Sequence, residues 1–172
     1  MAINGIRLLE DALAKLKVTY RQYLSFAERD VAWTLQLSML EALRSSKADL
    51  QMYNNHKVAP RRLVDLAVVR GSAVETVLEL KYEPDHDRTD ITPGKLSPSV
   101  VYWNSKRDGG VIPDIERVRY FVEHGAARTG CSVLIDEGSY FRHREAPEGS
   151  RWENWGKSPY SASGISVLVA KF

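Results

Sequence analysis

The feature that most constrains this chain is a pair of apolar segments separated by a short glycine-containing stretch. Residues 62–69 and 74–81 are rich in valine and leucine, and each is long enough for a strand. Two such runs joined by a few residues predict a β-hairpin. The charged residues Asp65, Glu79 and Lys81 lie inside these two runs. Charge inside an apolar sheet is costly to bury unless it is paired or bound to a metal.

The expected register of this hairpin brings the charged residues together. If the three residues starting at Gly71 form the loop, Arg70 pairs with Val74, and counting back places Asp65 opposite Glu79. The lysine two residues after the glutamate points to the same side, because side chains alternate along a strand. The sequence therefore predicts two carboxylates and one ammonium group on one patch of the sheet.

This combination of groups is suited to a divalent cation. Asp65 and Glu79 can ligate Mg²⁺ or Mn²⁺, and the carbonyl of Leu80 can supply a third oxygen. Lys81 can orient an attacking water or stabilise charge on a phosphate. A metal in this position would polarise a phosphoryl oxygen and lower the pKa of a bound water. The alternative is a solvent-facing edge strand on which Lys81 forms an ordinary ion pair with a neighbouring acid.

The spacing of these residues resembles the PD-(D/E)xK nuclease superfamily, which has the restriction-endonuclease-like fold. The matching residues are Asp65, Glu79 and Lys81, and Val64 stands where the motif has proline. The resemblance covers about residues 26–136 and implies a core of a helix, three meandering strands, a helix and a strand. It also implies a metal-dependent nuclease acting on DNA rather than RNA. Some members have lost catalysis, so a catalytically inactive module that binds nucleic acid or protein is the alternative.

The order of predicted elements indicates a mixed α/β fold with a central sheet flanked by helices. Loops are predicted over 54–60, 83–113 and 144–164, and the last helix is expected to stop at Gly130. The predicted helices cover 5–24, 26–44 and 114–128, and the predicted strands outside the hairpin cover 49–53, 132–136 with a continuation over 140–142, and 165–172.

The superfamily often adds an acidic residue from the helix that precedes the meander. Glu28 lies at the centre of the apolar face of that helix, whereas Asp30 and Glu41 fall on the opposite side. Glu28 is therefore the expected further catalytic residue and metal ligand. The alternative is that Glu28 stabilises the helix N-terminus through the helix dipole.

The segment directly after the motif carries a weaker signal. His86 and Arg88 are candidates for contacting the phosphates of a nucleic acid, and the alternative is a solvated charged loop. Superfamily members often work as dimers, and the leucines of the first predicted helix suit a homodimer.

Composition sets broad limits on the class of protein. The chain of 172 residues, with a net charge of +2 and a single cysteine, predicts one domain, with residues 1–24 as a helical extension and 26–172 as the core. The absence of a long apolar run or a signal-peptide pattern predicts a cytoplasmic protein without a membrane partner. A third hypothesis, an unrelated α/β interaction domain, predicts that Asp65, Glu79 and Lys81 lie apart.

Overall fold

The computed structural model describes residues 4–22, 27–46, 48–60, 62–86, 101–105, 109–158 and 162–172. Within these residues the chain forms three α-helices, a short 3-10 helix at Tyr20–Gln22 and six strands. The helices are α1 (Gly5–Thr19), α2 (Glu28–Ser46) and α3 (Val111–Glu123). The strands are β1 (Gln51–Ala59), β2 (Arg62–Arg70), β3 (Ala73–Glu83), β4 (Thr129–Asp136), β5 (Ser150–Lys157) and β6 (Gly164–Lys171).

The strands form one mixed sheet in the order β1-β2-β3-β4-β6-β5. Only β3 and β4 run parallel, whereas the other described neighbours are antiparallel. Two parallel neighbours need a crossover connection, and α3 lies in the one between β3 and β4. The predicted α/β class with a mixed central sheet flanked by helices is confirmed.

The helices cover both faces of the sheet. On one face α1 and α2 pack over a large apolar cluster that includes Leu35 and Leu80. On the other face α3 packs through Phe121 against a cluster that includes Val77. Because side chains alternate along β3, Glu79 lies on the α3 face together with Val77. The charged residues of β3 therefore project into a covered layer.

The turn of the central hairpin is one residue shorter than predicted. Arg70 pairs with Ala73 rather than with Val74, so that Gly71 and Ser72 alone connect the two strands. Gly71 has a φ of 58°, in the left-handed region that glycine adopts without steric cost. The prediction of a three-residue loop was wrong because a two-residue turn with a positive φ at glycine matches the strand twist.

A β-bulge restores the expected juxtaposition of the charged residues. Next to the turn the register shifts by one residue, and Leu66 then pairs with Leu78. Continuing this count by one residue places Asp65 opposite Glu79, as the sequence predicts.

Two predicted loops are in fact edge strands. The strand expected over 49–53 runs from Gln51 to Ala59, through the predicted loop 54–60, and β5 lies inside the predicted loop 144–164. Both strands occupy an edge of the sheet and alternate little in burial, because polar side chains cover them. Without apolar alternation, periodicity does not reveal a strand.

The bounds of α3 and β4 also differ from the prediction. The helix ends at Glu123, and Gly125, with a φ of 69°, follows its C-cap, so Gly130 does not stop it. The helix begins earlier than expected because Pro113 is tolerated in a first turn. Residues 137–138 and 140–142 form turns instead of continuing β4.

No helix in the described part of the chain has both the length and the apolar character required to span a bilayer.

Candidate functional site: a buried charge cluster at the centre of the sheet

Strand β3 carries the charged residues into the interior. Glu79 is 2% exposed, and β3 is an inner strand of the sheet. The arrangement expected for a solvent-facing edge strand is therefore excluded. Instead, Glu79 Oε1 accepts a hydrogen bond at 2.9 Å from Nε of Arg117, which is presented by α3.

Asp65 lies where the β2–β3 ladder ends. Its Oδ2 accepts a hydrogen bond at 2.8 Å from the backbone N–H of Leu80. A side chain thus replaces a backbone carbonyl as the partner of an interior N–H, which fixes the carboxylate beside β3. The Leu80 carbonyl accepts a hydrogen bond from Nζ of Lys81 at 3.2 Å.

Lys81 is held by acids from two different layers. Its Nζ lies 3.1 Å from Oδ2 of Asp114 on α3 and 3.8 Å from Oε2 of Glu28 on α2. Asp114 Oδ1 in turn accepts a hydrogen bond at 2.7 Å from Nη2 of Arg117. Four carboxylates and two cations therefore form one cluster, which we call the charge cluster: Glu28, Asp65, Glu79, Lys81, Asp114 and Arg117.

The electrostatics of the charge cluster show how tightly its members interact. Burial raises the pKa of Glu79 to about 8, although the Arg117 guanidinium opposes this and the negative charges of Asp65 and Asp114 add to it. Burial also raises the pKa of Glu28, against the opposing effect of Lys81. Asp65, Glu79 and Lys81 converge, contrary to what an unrelated interaction domain predicts.

The pKa of Lys81 moves in the direction that keeps its charge. Burial lowers this pKa, but the carboxylates of Asp114, Glu28 and Asp65 together raise it above the ordinary value of 10.5. Lys81 is therefore an ammonium group at neutral pH, able to donate hydrogen bonds.

One buried oxygen in the charge cluster accepts no hydrogen bond of good geometry. Asp114 is 1% exposed, and its Oδ2 makes no hydrogen bond of good geometry, although Nζ of Lys81 lies nearby as an ion-pair partner. A buried oxygen without a hydrogen bond is costly. Lys81 therefore compensates this oxygen by its charge and not by a well-formed hydrogen bond.

The donor set fits a hard divalent cation in its chemistry. Mg²⁺ prefers oxygen and is held by one or two carboxylates together with waters. Asp65, Glu79 and the carbonyl of Leu80 offer such oxygens. Within the described ranges, no three acidic, histidine or cysteine side chains gather into a preformed metal cluster. The fit to a divalent cation is therefore one of donor chemistry and not of a preassembled ligand group.

A cavity of about 310 Å³ opens beside the charge cluster, between α2 and the β1–β2 edge. Glu28, Asp65 and Leu80 form one part of its lining. The rest of its wall is formed by residues of α2 and β1, namely Arg29, Ala32, Trp33, Gln36, Asn54 and Asn55. A ligand in this cavity would lie next to the predicted metal ligands.

The predicted phosphate contacts lie in other surroundings. The His86 ring stacks on Tyr140 with centroids 4.2 Å apart, and its Nε2 lies 2.5 Å from Oε1 of Glu83. His86 therefore already has an acidic partner, and its contact with nucleic acid stays a prediction. Arg88 lies outside the described residues.

Sequence reasoning missed Asp114 and Arg117. Both lie in α3, three residues apart, so their side chains share one face of the helix. The available signal was a pair of opposite charges, Asp114 and Arg117, next to the apolar positions of α3 that face the sheet. This signal becomes specific only once the parallel β3–α3–β4 unit places that face over Glu79.

No protein-family model, curated protein sequence or solved structure matches this chain in the comparisons.

Proposed function

We propose that this protein is a metal-dependent nuclease with a restriction-endonuclease-like core, acting on DNA. The observation that carries this proposal is the convergence of Asp65, Glu79 and Lys81 on inner strands, next to an open cavity. The order α2-β1-β2-β3-α3-β4, with β3 and β4 parallel, supports it, because it matches the order expected from the resemblance.

Each residue has a role that follows from its contacts. Asp65 and Glu79 would hold Mg²⁺ or Mn²⁺ together with the carbonyl of Leu80. The bound cation would polarise the phosphoryl oxygen and lower the pKa of water. Lys81, kept charged by its acidic neighbours, donates hydrogen bonds to the attacking water or to the phosphate oxygen that gains charge. Glu28 completes the acidic shell by holding Lys81 from the α2 side.

Residues from α3 prepare the site. Arg117 holds Glu79 through Nε, and Asp114 positions Lys81 from the α3 side of the sheet. These pairs compensate the buried charges before a cation and a phosphate arrive. Arg117 is also suited to stabilise negative charge on the phosphate once Glu79 turns to the cation.

The proposal is tested by cleavage of single-stranded DNA, duplex DNA and RNA with Mg²⁺ or Mn²⁺. The wild-type protein is expected to cut a DNA substrate, and Asp65→Asn is expected to reduce the rate at least about 100-fold. Asparagine keeps an oxygen that can accept from the Leu80 N–H, so folding is preserved. Asp11→Asn, the same change at an exposed position of α1, is the control. Equal rates for Asp65→Asn and wild type would refute the assigned roles.

A second function is favoured by one specific observation. The pairs Glu79–Arg117 and Lys81–Asp114 give four of the six members of the charge cluster a partner inside the protein, as expected of a catalytically inactive module that binds nucleic acid or protein. Such a module would bind DNA or a protein without cutting DNA under any metal condition, and Asp65→Asn would leave that binding unchanged.

A further inference from the structure

We infer that the cavity beside the charge cluster takes one unpaired nucleotide, so that the substrate is a single strand or an unpaired end of a nucleic acid. This inference names the substrate class of the proposed nuclease and in that respect rests on it. The strand would enter with its base in the cavity and the adjoining phosphodiester at Asp65 and Leu80.

The first observation is an exposed tryptophan at the cavity. Trp33 is 61% exposed on α2 although it is one of the largest apolar side chains of the protein. It lines the same cavity as Asp65 and Glu28, so its ring lies beside the predicted reaction centre. Aromatic rings in this situation stack with unpaired bases, and this stacking tolerates any base.

The second observation is the shape of the α2 surface. Glu28, Ala32 and Gln36 follow one another at intervals of four residues and form one row along the helix, all lining the cavity. Arg29 and Trp33 form the parallel row. Because the side chain of Ala32 is short, it leaves open space between the carboxylate of Glu28 and the amide of Gln36.

The third observation is a pair of amides on the wall of the cavity. Asn54 Nδ2 donates to Gln36 Oε1 at 3.1 Å, and Gln36 donates back to Asn54 Oδ1. Asn55 follows in β1 with a φ of 47°, which sets it apart from regular strand geometry. Side-chain amides carry both donors and acceptors, as the edges of bases do.

Charge completes the arrangement. Arg29, whose side chain is 90% exposed, lies one turn before Trp33 and is positioned to contact a backbone phosphate. At about 310 Å³ the cavity lies at the lower end of the range for small-ligand sites, roughly 300–1,000 Å³. A space of this size accommodates one nucleotide and not a base pair, so a base must leave its stack to enter.

The test is the binding of a fluorescein-labelled oligonucleotide of about 15 nucleotides, measured by anisotropy, with the full chain. The single strand, the same strand annealed to its complement and the RNA of the same sequence are compared in Ca²⁺, which takes the same oxygen ligands as Mg²⁺. A gel run afterwards verifies that the oligonucleotide is intact.

We expect the wild-type protein to bind the single strand at least 10-fold more tightly than the duplex. Trp33→Ala should weaken single-strand binding by about 5- to 150-fold, the effect of losing one stacked base, and Trp33→Phe should retain part of it. Ala32→Met should also weaken binding by filling the cavity without removing a polar group. Leu37→Ala is the matched control, since Leu37 is 46% exposed on the same helix and does not line the cavity.

The inference is overturned if the wild-type protein binds duplex as tightly as single strand, binds neither, or is unaffected by both Trp33→Ala and Ala32→Met. Equal binding of the DNA and RNA strands supports recognition of the base by stacking. Tighter binding of one of them supports the same stacking together with a contact to the sugar. Failure of the proposed nuclease activity is a separate result, because it would appear as absent cleavage in Mg²⁺ and Mn²⁺ while single-strand binding in Ca²⁺ persists.

Discussion

The pKa of Glu79 leads to a prediction about how stability depends on pH. The unfolded chain loses this proton near pH 4.5, whereas the folded protein holds it until about pH 8. Between these values the folded state binds more protons, so the free energy of unfolding falls as the pH rises. A pKa displacement of one unit corresponds to about 1.4 kcal/mol, so the loss over the window is roughly 5 kcal/mol.

The variant Glu79→Gln isolates this effect. Glutamine is neutral at every pH and has nearly the same shape, so the variant should resemble the protein with a protonated Glu79. The difference in free energy of unfolding between the variant and the wild type should therefore increase with pH, by up to about 1.4 kcal/mol per pH unit. Titrating groups that do not interact with Glu79 cancel in this difference.

Urea denaturation followed by tryptophan fluorescence at pH 5, 6, 7 and 8 measures the difference. A difference that stays constant within about 0.5 kcal/mol over this range would refute the reasoning about burial. Mg²⁺ should counteract the loss of stability in the wild type at pH 8, because a cation favours the ionised carboxylate. The Glu79→Gln variant should respond much less to Mg²⁺.

Three further predictions concern other parts of the structure. Asp114→Asn should lower the pKa of Lys81 and reduce the free energy of unfolding by about 1–3 kcal/mol in urea denaturation, because a partly solvated cation loses its buried partner; an unchanged midpoint would contradict this. Gly130→Ala should lower the melting temperature, because an added Cβ would lie 2.4 Å from Cγ1 of Val118, and a calorimetric scan that matches the wild type would show that α3 shifts freely. The thiol of Cys131 is buried, and burial raises its pKa to about 12, so it should react with a thiol reagent only at the rate of unfolding, and rapid labelling of the native protein would refute that assignment.

The central part of the sheet could be predicted from the sequence because its strands are buried on both faces. In β2 and β3 the runs are mostly apolar, and the register of Asp65 and Glu79 followed from counting. The details of the turn did not follow, since the loop is one residue shorter than expected and a β-bulge next to it restores the register. The prediction of a longer loop and the omission of the bulge were two errors of one residue each, and they cancelled in the register of Asp65 and Glu79.

The edges of the sheet and the contribution of α3 could not be predicted. β1 and β5 carry polar side chains that protect an exposed edge, and these residues have the composition of loops. Asp114 and Arg117 belong to the charge cluster only because the parallel crossover places α3 over β3. Sequence spacing does not encode a contact that depends on how two distant elements pack.

The central claim is that the charge cluster binds a divalent cation, and a calorimetric titration with Mn²⁺ tests it most directly. Wild-type protein, Asp65→Asn and the control Asp11→Asn are titrated at pH 7.5. The account predicts saturable binding of one Mn²⁺ to the wild type and the control, and its loss in Asp65→Asn. Equal binding by all three proteins, or no binding by any of them, would contradict a metal site at Asp65 and Glu79.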